Sequence, residues 1–373
     1  MKINIAASHR FHLLDLAREL EKQGHDVRFY SYVPKRRAIK FGLKKKNSKS
    51  LFFLMLPFLA LVKISKRTDW SLKLNYYVLD NYLSWFMPKC DIFIGLGTVY
   101  KNSFNTAKEK YNAMTILEWG SKHIYAQEEA ITNNSGAKKQ ADFFIERSIE
   151  GYNISDFISI PSSHAKQSFL KYGIKENKLM LNPYGVDLKM FPKTQLNEKD
   201  NFDVLMVGNW SYTKGSDFII KALKESNLTF LHVGSIQDIP FPNLKNMHHI
   251  DPVDQSELKN YYSKAKIFIL PSRTEGLAMV QAQAIACGLP IVCSKNTGGS
   301  DLRDLISAKD WIIEFEDYSI EKIHEAIILA LNLANSQSGS RNYVEDDLKN
   351  LSWEAYGKRY IKNINKIINV TKV

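Results

Sequence analysis

The sequence has little cysteine, namely Cys90, Cys287 and Cys293. This excludes a disulfide scaffold, and the lack of a paired C-x-x-C spacing argues against a structural zinc site. Long hydrophobic runs are also missing, since the longest covers residues 51–62 and is interrupted by Pro57. A membrane-spanning helix takes about 20 apolar residues. The N-terminus has no signal-peptide pattern, so we expect a cytoplasmic protein, either free or peripheral at the inner face of the membrane.

The overall composition is that of a globular chain with one strongly basic part. The chain has 373 residues, of which 45% are apolar and 24% are charged. That length predicts two domains. The formal net charge is +12, and residues 1–70 alone carry 16 Lys and Arg against 5 Asp and Glu. One basic face would attract an anionic partner, namely nucleic acid, a membrane surface or a phosphorylated substrate. A solvated, lysine-rich surface is the alternative.

The order of apolar segments predicts an α/β protein made of two doubly wound, Rossmann-like domains that face a cleft. Residues 1–190 form the first domain and residues 202–350 the second, with a polar linker over 192–201. Residues 351–373 are predicted to be a helix that packs back toward the first domain. The predicted strands cover residues 2–7, 27–32, 91–95, 114–117, 157–160, 202–207, 228–233, 267–270, 290–293 and 311–315, and the main predicted helices 11–23, 216–225, 255–265 and 278–287.

The residues that suggest chemistry follow predicted strands of the second domain. A strand ends at Leu270, and the loop after it carries Arg273, Glu275 and Gly276 into a helix that starts near residue 278. The first amides of a helix have no partners within the helix, and its dipole adds positive potential, so a phosphate is held well there. Lys214 lies in the loop after an earlier predicted strand, and its ammonium group can bind a diphosphate as a mobile point charge.

Three stretches together resemble the retaining glycosyltransferases of family four, which have the two-domain GT-B fold. They are LNPYGVDLKMF at 181–191, VLMVGNWSYTKGSDF at 204–218, and LPSRTEGLAMVQAQAIACGLPIVCSKNTGG at 270–299. The resemblance covers most of residues 150–302. It implies transfer of a hexose from a UDP- or GDP-linked sugar to a glycan or lipid-linked acceptor, in surface polysaccharide synthesis. No cofactor and no metal would be needed, and the sequence indeed has no Asp-x-Asp pair to hold one on a diphosphate.

The resemblance also assigns roles to residues. Glu275 would contact the donor sugar, and Lys214 would neutralise the diphosphate. The backbone of Gly276, Leu277, Ala278 and Met279 would cradle sugar and phosphate.

Two positions depart from the family's pattern. Gln283 stands where a second Glu normally holds the ribose hydroxyls, and its amide oxygen accepts hydrogen bonds without the strength that charge adds. Asn209 stands where an Arg is frequent, which removes one cation from the donor site. We expect Arg273 or Arg10 to supply the missing charge, since Arg273 lies two residues from Glu275 and Arg10 lies in the first loop.

In the first domain, Glu118 and His123 follow the predicted strand that ends at Leu117, and we expect them in a loop at the cleft. The resemblance implies an acceptor-side role for both, and it places His123 among the catalytic residues. The family's proposed base is an oxygen of the donor phosphate, so no side-chain base is required.

Residues 35–67 combine cations with an apolar patch, which favours contact with an anionic membrane and thus a lipid-linked acceptor. A core helix after a basic loop is the alternative. Two other functions compete with the transferase. A nucleotide-sugar 2-epimerase has the same two-domain shape but needs no acceptor site. Nucleic-acid binding is suggested by charge alone and lacks a recognition motif, so we expect no nucleic-acid partner.

Overall fold

The structure is a computed structural model that describes residues 1–64, 69–97, 99–132, 140–197, 199, 201–336 and 345–371. Within those ranges the chain forms two parallel β-sheets, each flanked by helices, in the predicted α/β class. Parallel strands need helical crossovers, which cover both faces of a sheet. The strands are accordingly apolar and buried, as in Ile3 and Ile5 of the first one.

The first sheet has seven described strands in the order β3-β2-β1-β4-β5-β6-β7. The strands are Lys2–Ala6 (β1), Asp26–Ser31 (β2), Ser48–Ser50 (β3), Ile92–Leu96 (β4), Met114–Glu118 (β5), Phe157–Ile160 (β6) and Leu179–Leu181 (β7). The helices are Phe11–Lys22 (α1), Lys35–Lys40 (α2), Phe52–Ile64 (α3), Asp69–Phe86 (α4), Lys101–Tyr111 (α5), Ile124–Thr132 (α6), Asp142–Ile154 (α7) and Ser163–Lys171 (α8). The strand order reverses between β1 and β4, which places a ligand crevice at their carboxyl ends.

The second sheet has six described strands in the order β10-β9-β8-β11-β12-β13. They are Phe202–Val207 (β8), Phe230–Val233 (β9), Met247–Ile250 (β10), Ala265–Leu270 (β11), Ile291–Ser294 (β12) and Ile312–Phe315 (β13). The helices are Ser216–Leu223 (α9), Leu258–Tyr262 (α10), Met279–Ala286 (α11), Gly299–Arg303 (α12), Ile320–Ser336 (α13) and Trp353–Thr371 (α14). Here the order reverses between β8 and β11, the two strands whose following loops carry the transferase-like motifs.

Several elements differ from the sequence-based expectation. Strand β3 was not predicted because its sequence, SKS, is polar and short, and β7 is also only three residues long. The helix predicted over 255–265 is interrupted: a 3-10 turn covers Gln255–Glu257, α10 ends at Tyr262, and β11 already begins at Ala265. The predicted linker has no regular structure over its described residues, 192–197, 199 and 201.

The segment between β2 and β4 contains α2, β3, α3 and α4. Residues 65–67 of the predicted membrane-contact stretch lie outside the described residues. Helix α3 is apolar but contains Pro57 and ends at Ile64. No helix in the described part of the chain combines the length and apolar character that crossing a bilayer requires.

The last helix, α14, lies against α1 of the first domain. The buried carboxylate of Glu118, at the end of β5, joins these elements. It accepts hydrogen bonds from the hydroxyl groups of Tyr360 at 2.9 Å and Tyr356 at 3.3 Å, and His12 of α1 lies 3.0 Å from it. Residues far apart in sequence are therefore tied to one buried carboxylate, that of Glu118. Arg359 of α14 also donates hydrogen bonds to the side-chain oxygen of Asn182 and to the carbonyl of Pro183.

We predict that Tyr360→Phe lowers the free energy of unfolding by about 1–3 kcal/mol, because it leaves one buried carboxylate oxygen of Glu118 without its donor. Urea unfolding followed by circular dichroism measures this. Tyr125→Phe, which removes the hydroxyl of an exposed tyrosine, is the matched control and should stay within about 0.5 kcal/mol of the wild type. Equal effects of the two substitutions would show that Glu118 does not depend on this bond.

Candidate active site

The loops after β8 and β11 bring Lys214 and Glu275 together. The ammonium group of Lys214 forms an ion pair with Oε1 of Glu275, and the hydroxyl of Ser272 donates to the same oxygen at 2.9 Å. The side chains are 26% and 15% exposed, so each is partly accessible to solvent and yet held in place. The two residues that the sequence motifs single out therefore form one site at the point where the strand order reverses.

Helix α11 begins at Met279, four residues after Glu275. Leu277 and Ala278 are buried, and Ala278, at the N-cap, has no side chain that can cap the helix. Met279 is the first helical residue and lines the cleft. A helix start without a side-chain cap presents its dipole and its first amides to whatever lies in front of it.

The backbone of Gly276 touches the first domain. A Cβ atom added there would lie 2.0 Å from the carbonyl oxygen of Gly120, in the loop after β5, so no other residue fits without moving the domains apart. Ser162 donates to the carbonyl of Gly276 at 2.6 Å, and His164 bonds the carbonyl of Glu275 at 3.0 Å. Burial lowers the pKa of His164 to about 4, so the ring is neutral and its Nε2–H donates.

Two cavities open into the cleft beside this contact. The Gln283 cavity, about 250 Å³, lies between the start of α1 and helix α11. The Glu118 cavity, about 410 Å³, lies between α1 and the loop after β5. Phe11 and Met279 line both cavities. The Gln283 cavity is lined by Arg10, Asp15, Gln255 and Trp353 in addition, and the Glu118 cavity by Ser8, His12, Gly120, Ser121 and Gln127.

Gln283 is buried at the wall of its cavity. Its side-chain oxygen accepts a hydrogen bond from the hydroxyl of Tyr262 at 3.1 Å. This arrangement fixes the orientation of the amide and leaves its N–H groups as the end that can donate to a ligand.

The two candidate arginines lie in different surroundings. Arg273 is paired with Asp217 through two bonds of 2.6 and 2.8 Å, and its guanidinium lies 4.0 Å from the ring centre of Phe218. Arg10 lines the Gln283 cavity, where it donates to Gln255 at 2.8 Å and lies 3.5 Å from Asp15. Burial lowers the pKa of Arg10, although a guanidinium stays charged at neutral pH. The structure thus brings Arg10 to a cavity and commits Arg273 to Asp217.

The other predicted site residues also differ in whether they line a cavity. Asn209 is exposed and follows Gly208 at the end of β8. Glu118 lines the cavity named after it. His123 is 2% exposed and stacks on Tyr172 with a ring distance of 4.6 Å, so its ring is enclosed by aromatic side chains. Among the described residues that line the two cavities His123 does not occur, so this placement gives an acceptor-side role no support.

Sequence reasoning missed the residues that join the two domains. Lys122 donates to Asn296 of the second domain at 2.6 Å, and Ser162 and His164 reach the loop at Glu275. Their sequence neighbourhood contains no motif, and only the packing of the domains reveals them. Within the described residues, no three His, Cys, Asp or Glu side chains are grouped so as to hold a metal ion. Metal independence remains a prediction.

Comparison with known proteins finds a family that matches most of the second domain. Residues 188–346 match the family described as Glycosyl transferases group 1. An uncharacterized glycosyltransferase of Haemophilus influenzae is 30% identical over 156 residues, which are 38% of this chain and 43% of the relative. A GDP-mannose-dependent monoacylated alpha-(1-6)-phosphatidylinositol monomannoside mannosyltransferase of Corynebacterium glutamicum is 25% identical, over 57% of this chain and 59% of that one.

The fold is shared over almost the whole chain. The crystal structure of HepE from Anabaena in complex with UDP and glucose superimposes with a TM-score of 0.61 at 11% identity, covering 98% of this chain and 99% of the other. The expected GT-B fold and the resemblance to group 1 glycosyl transferases are therefore confirmed. In sequence, the chain spans about half the length of the curated relatives it matches.

Lys122 generates a prediction about pH. Burial, together with the charge of Lys295, lowers its pKa from 10.5 to about 8. Between pH 8 and 10.5 the unfolded chain binds more protons than the folded one, so this residue makes stability rise with pH in that window. We expect Lys122→Met to flatten the rise, measured as the free energy of urea unfolding from pH 7 to 10.5. Lys221→Met, at an exposed position of α9, should keep the wild-type slope. An unchanged slope in Lys122→Met would contradict the assignment.

Proposed function

We propose, from the premise that the second domain is that of a group 1 glycosyl transferase, that this protein is a retaining, metal-independent hexosyltransferase. It moves a sugar from a UDP- or GDP-linked donor to a glycan or lipid-linked acceptor, in surface polysaccharide synthesis. The observation that carries the proposal is the Lys214–Glu275 pair, which lies directly before the contact of Gly276 with Gly120 of the first domain. The relatives are named as glycosyltransferases, and none of these names favours the 2-epimerase alternative.

The donor would lie across the start of α11. In this arrangement Gln283 donates its amide N–H groups to ribose oxygens, since Tyr262 occupies the amide oxygen. The diphosphate attracts Lys214 away from Glu275, and the carboxylate thereby released accepts hydrogen bonds from the donor sugar. Arg10, at the wall of the Gln283 cavity, supplies a second cation.

The bond from the anomeric carbon to the diphosphate breaks as negative charge grows on the phosphate oxygens. Lys214 and the first amides of α11 are aimed at that charge, and groups fixed in advance lower the barrier because they need no reorganisation. The acceptor hydroxyl enters from the Glu118 cavity, and its proton leaves with the diphosphate. Neither a metal ion nor a side-chain base takes part in this scheme.

The first test combines binding and kinetics. We expect UDP- or GDP-sugars to raise the melting temperature of the wild type and Lys214→Ala to lower kcat by about 10²–10³, the usual effect of removing one charge-stabilising donor. Lys221→Ala removes an exposed lysine from the helix that follows and should keep wild-type kinetics. If no UDP-, GDP- or ADP-sugar shifts the melting temperature, the proposed function is wrong.

The proposal of a lipid-linked acceptor is supported by exposed residues of the first domain. Phe53 of α3 is 84% exposed, Trp85 and Phe86 at the end of α4 are also exposed, and the lysines at 44–46 are solvated. Exposed aromatic side chains and exposed lysines both favour the interface of an anionic membrane. Trp85 and Phe86 lie outside the predicted contact segment, residues 35–67.

We predict that the protein cosediments with vesicles containing phosphatidylglycerol at low salt and that the triple substitution Lys44→Glu, Lys45→Glu, Lys46→Glu abolishes this binding. Each lysine near an anionic surface contributes about 1 kcal/mol. The control changes the same net charge elsewhere, at the exposed Lys309, Lys362 and Lys366, and should bind as the wild type does. Failure of the wild type to bind would remove the membrane claim and leave the donor site untouched.

A further inference from the structure

Phe11 has a backbone conformation that its residue type disfavours. Its φ is +37°, and among the described non-glycine residues only Asn112 also has a positive φ. Asn112 follows the last residue of α5, where a left-handed asparagine is an ordinary helix ending. Phe11 is instead the first residue of α1. An aromatic residue there persists only because its surroundings enforce it, and such strain occurs preferentially at functional sites.

Burial of the Phe11 side chain does little to offset this backbone strain. It is 50% exposed, although the neighbouring apolar residues of α1, Leu13, Leu14 and Leu16, are fully buried. Its ring contacts that of His9 edge to face at 5.8 Å. A strained backbone that presents an apolar ring to the cleft lowers stability on both counts, so packing alone does not account for this residue.

The position of Phe11 suggests what it does. Phe11 and Met279 are the two residues, among those described, that line both the Gln283 cavity and the Glu118 cavity. Phe11 comes from the first domain and Met279 from the start of α11 in the second, so together they form the wall between the cavities. Both are apolar, and an apolar wall at a junction excludes water.

We infer that Phe11 is a positioning residue that closes the junction between the donor and acceptor cavities, so that the activated sugar meets the acceptor hydroxyl and not water. The inference rests on the proposed function. In transfer, the bond from the anomeric carbon to the diphosphate breaks, the acceptor oxygen takes its place, and the acceptor proton goes to the diphosphate. Hydrolysis is the same exchange with water in place of the acceptor, and the partly exposed Phe11, which lines both cavities, would keep water from the sugar.

Two substitutions distinguish the effect of the aromatic ring from the effect of the backbone strain. Phe11→Ala removes the ring and keeps a side chain at positive φ, whereas Phe11→Gly removes both. Leu329→Ala is the matched control, because Leu329 is 53% exposed and lies on α13, away from both cavities. The assay measures release of nucleoside diphosphate without acceptor from UDP-glucose, UDP-N-acetylglucosamine and GDP-mannose, and the melting temperature is measured with and without UDP or GDP.

We expect both Phe11 variants to hydrolyse at least one donor about tenfold faster than the wild type, which corresponds to about 1.4 kcal/mol in the barrier. Leu329→Ala should hydrolyse as the wild type does, and Phe11→Gly should melt above Phe11→Ala because glycine accepts positive φ. Wild-type hydrolysis in both variants, with UDP or GDP still stabilising them, would overturn the inference and leave the proposed function standing. If neither nucleotide nor any nucleotide-sugar stabilises the wild type, the proposed function fails and this inference with it.

Discussion

The contact between Gly276 and the carbonyl oxygen of Gly120 is the constraint on which the rest of the site depends. A Cβ at Gly276 would fall 2.0 Å from that oxygen, so only glycine lets the loop after β11 approach the loop after β5 this closely. Ser162 and His164, which follow β6, bond the loop after β11, and Lys122 of the loop after β5 bonds Asn296, which follows β12, at 2.6 to 3.0 Å. The loops that make this contact follow the carboxyl ends of strands in both sheets, which is where ligands of parallel sheets bind, and Gly120 lines the Glu118 cavity.

The distribution of charge at the contact follows from the same closeness. Lys214 is held by Glu275 and Arg273 by Asp217, so neither cation lies unpaired in the cleft. The Lys214–Glu275 pair is partly exposed and joined by one oxygen, whereas the Arg273–Asp217 pair is bidentate and covered by Phe218. A doubly charged diphosphate competes more readily for the first pair than for the second. This difference separates a cation that can change partners from one that stabilises its own loop.

The sequence allowed the fold class to be predicted from local patterns, and the family resemblance singled out Lys214 and Glu275. Apolar runs such as residues 202–207 and 157–160 reveal strands without tertiary information, and the motif around Glu275 places that residue at a helix start. The short β3 and the pairing of Arg273 with Asp217 depend on neighbours distant in sequence. The enclosure of His123 shows the same limit, because the sequence does not reveal that residues as distant as Tyr172 pack around its ring, and its acceptor-side role stays a prediction.

The chain passes from one domain to the other at two places, and the residues at these two places contact each other. Val186 forms an isolated parallel bridge with Ser352, and its N–H donates to the carbonyl of Leu351 at 2.7 Å. A Cβ at Gly185 would lie 2.7 Å from the backbone of Trp353, so the two crossings are packed without space between them. Gly185, Val186 and Trp353 also line the Gln283 cavity. A ligand in that cavity would therefore contact the place where the two crossings are joined.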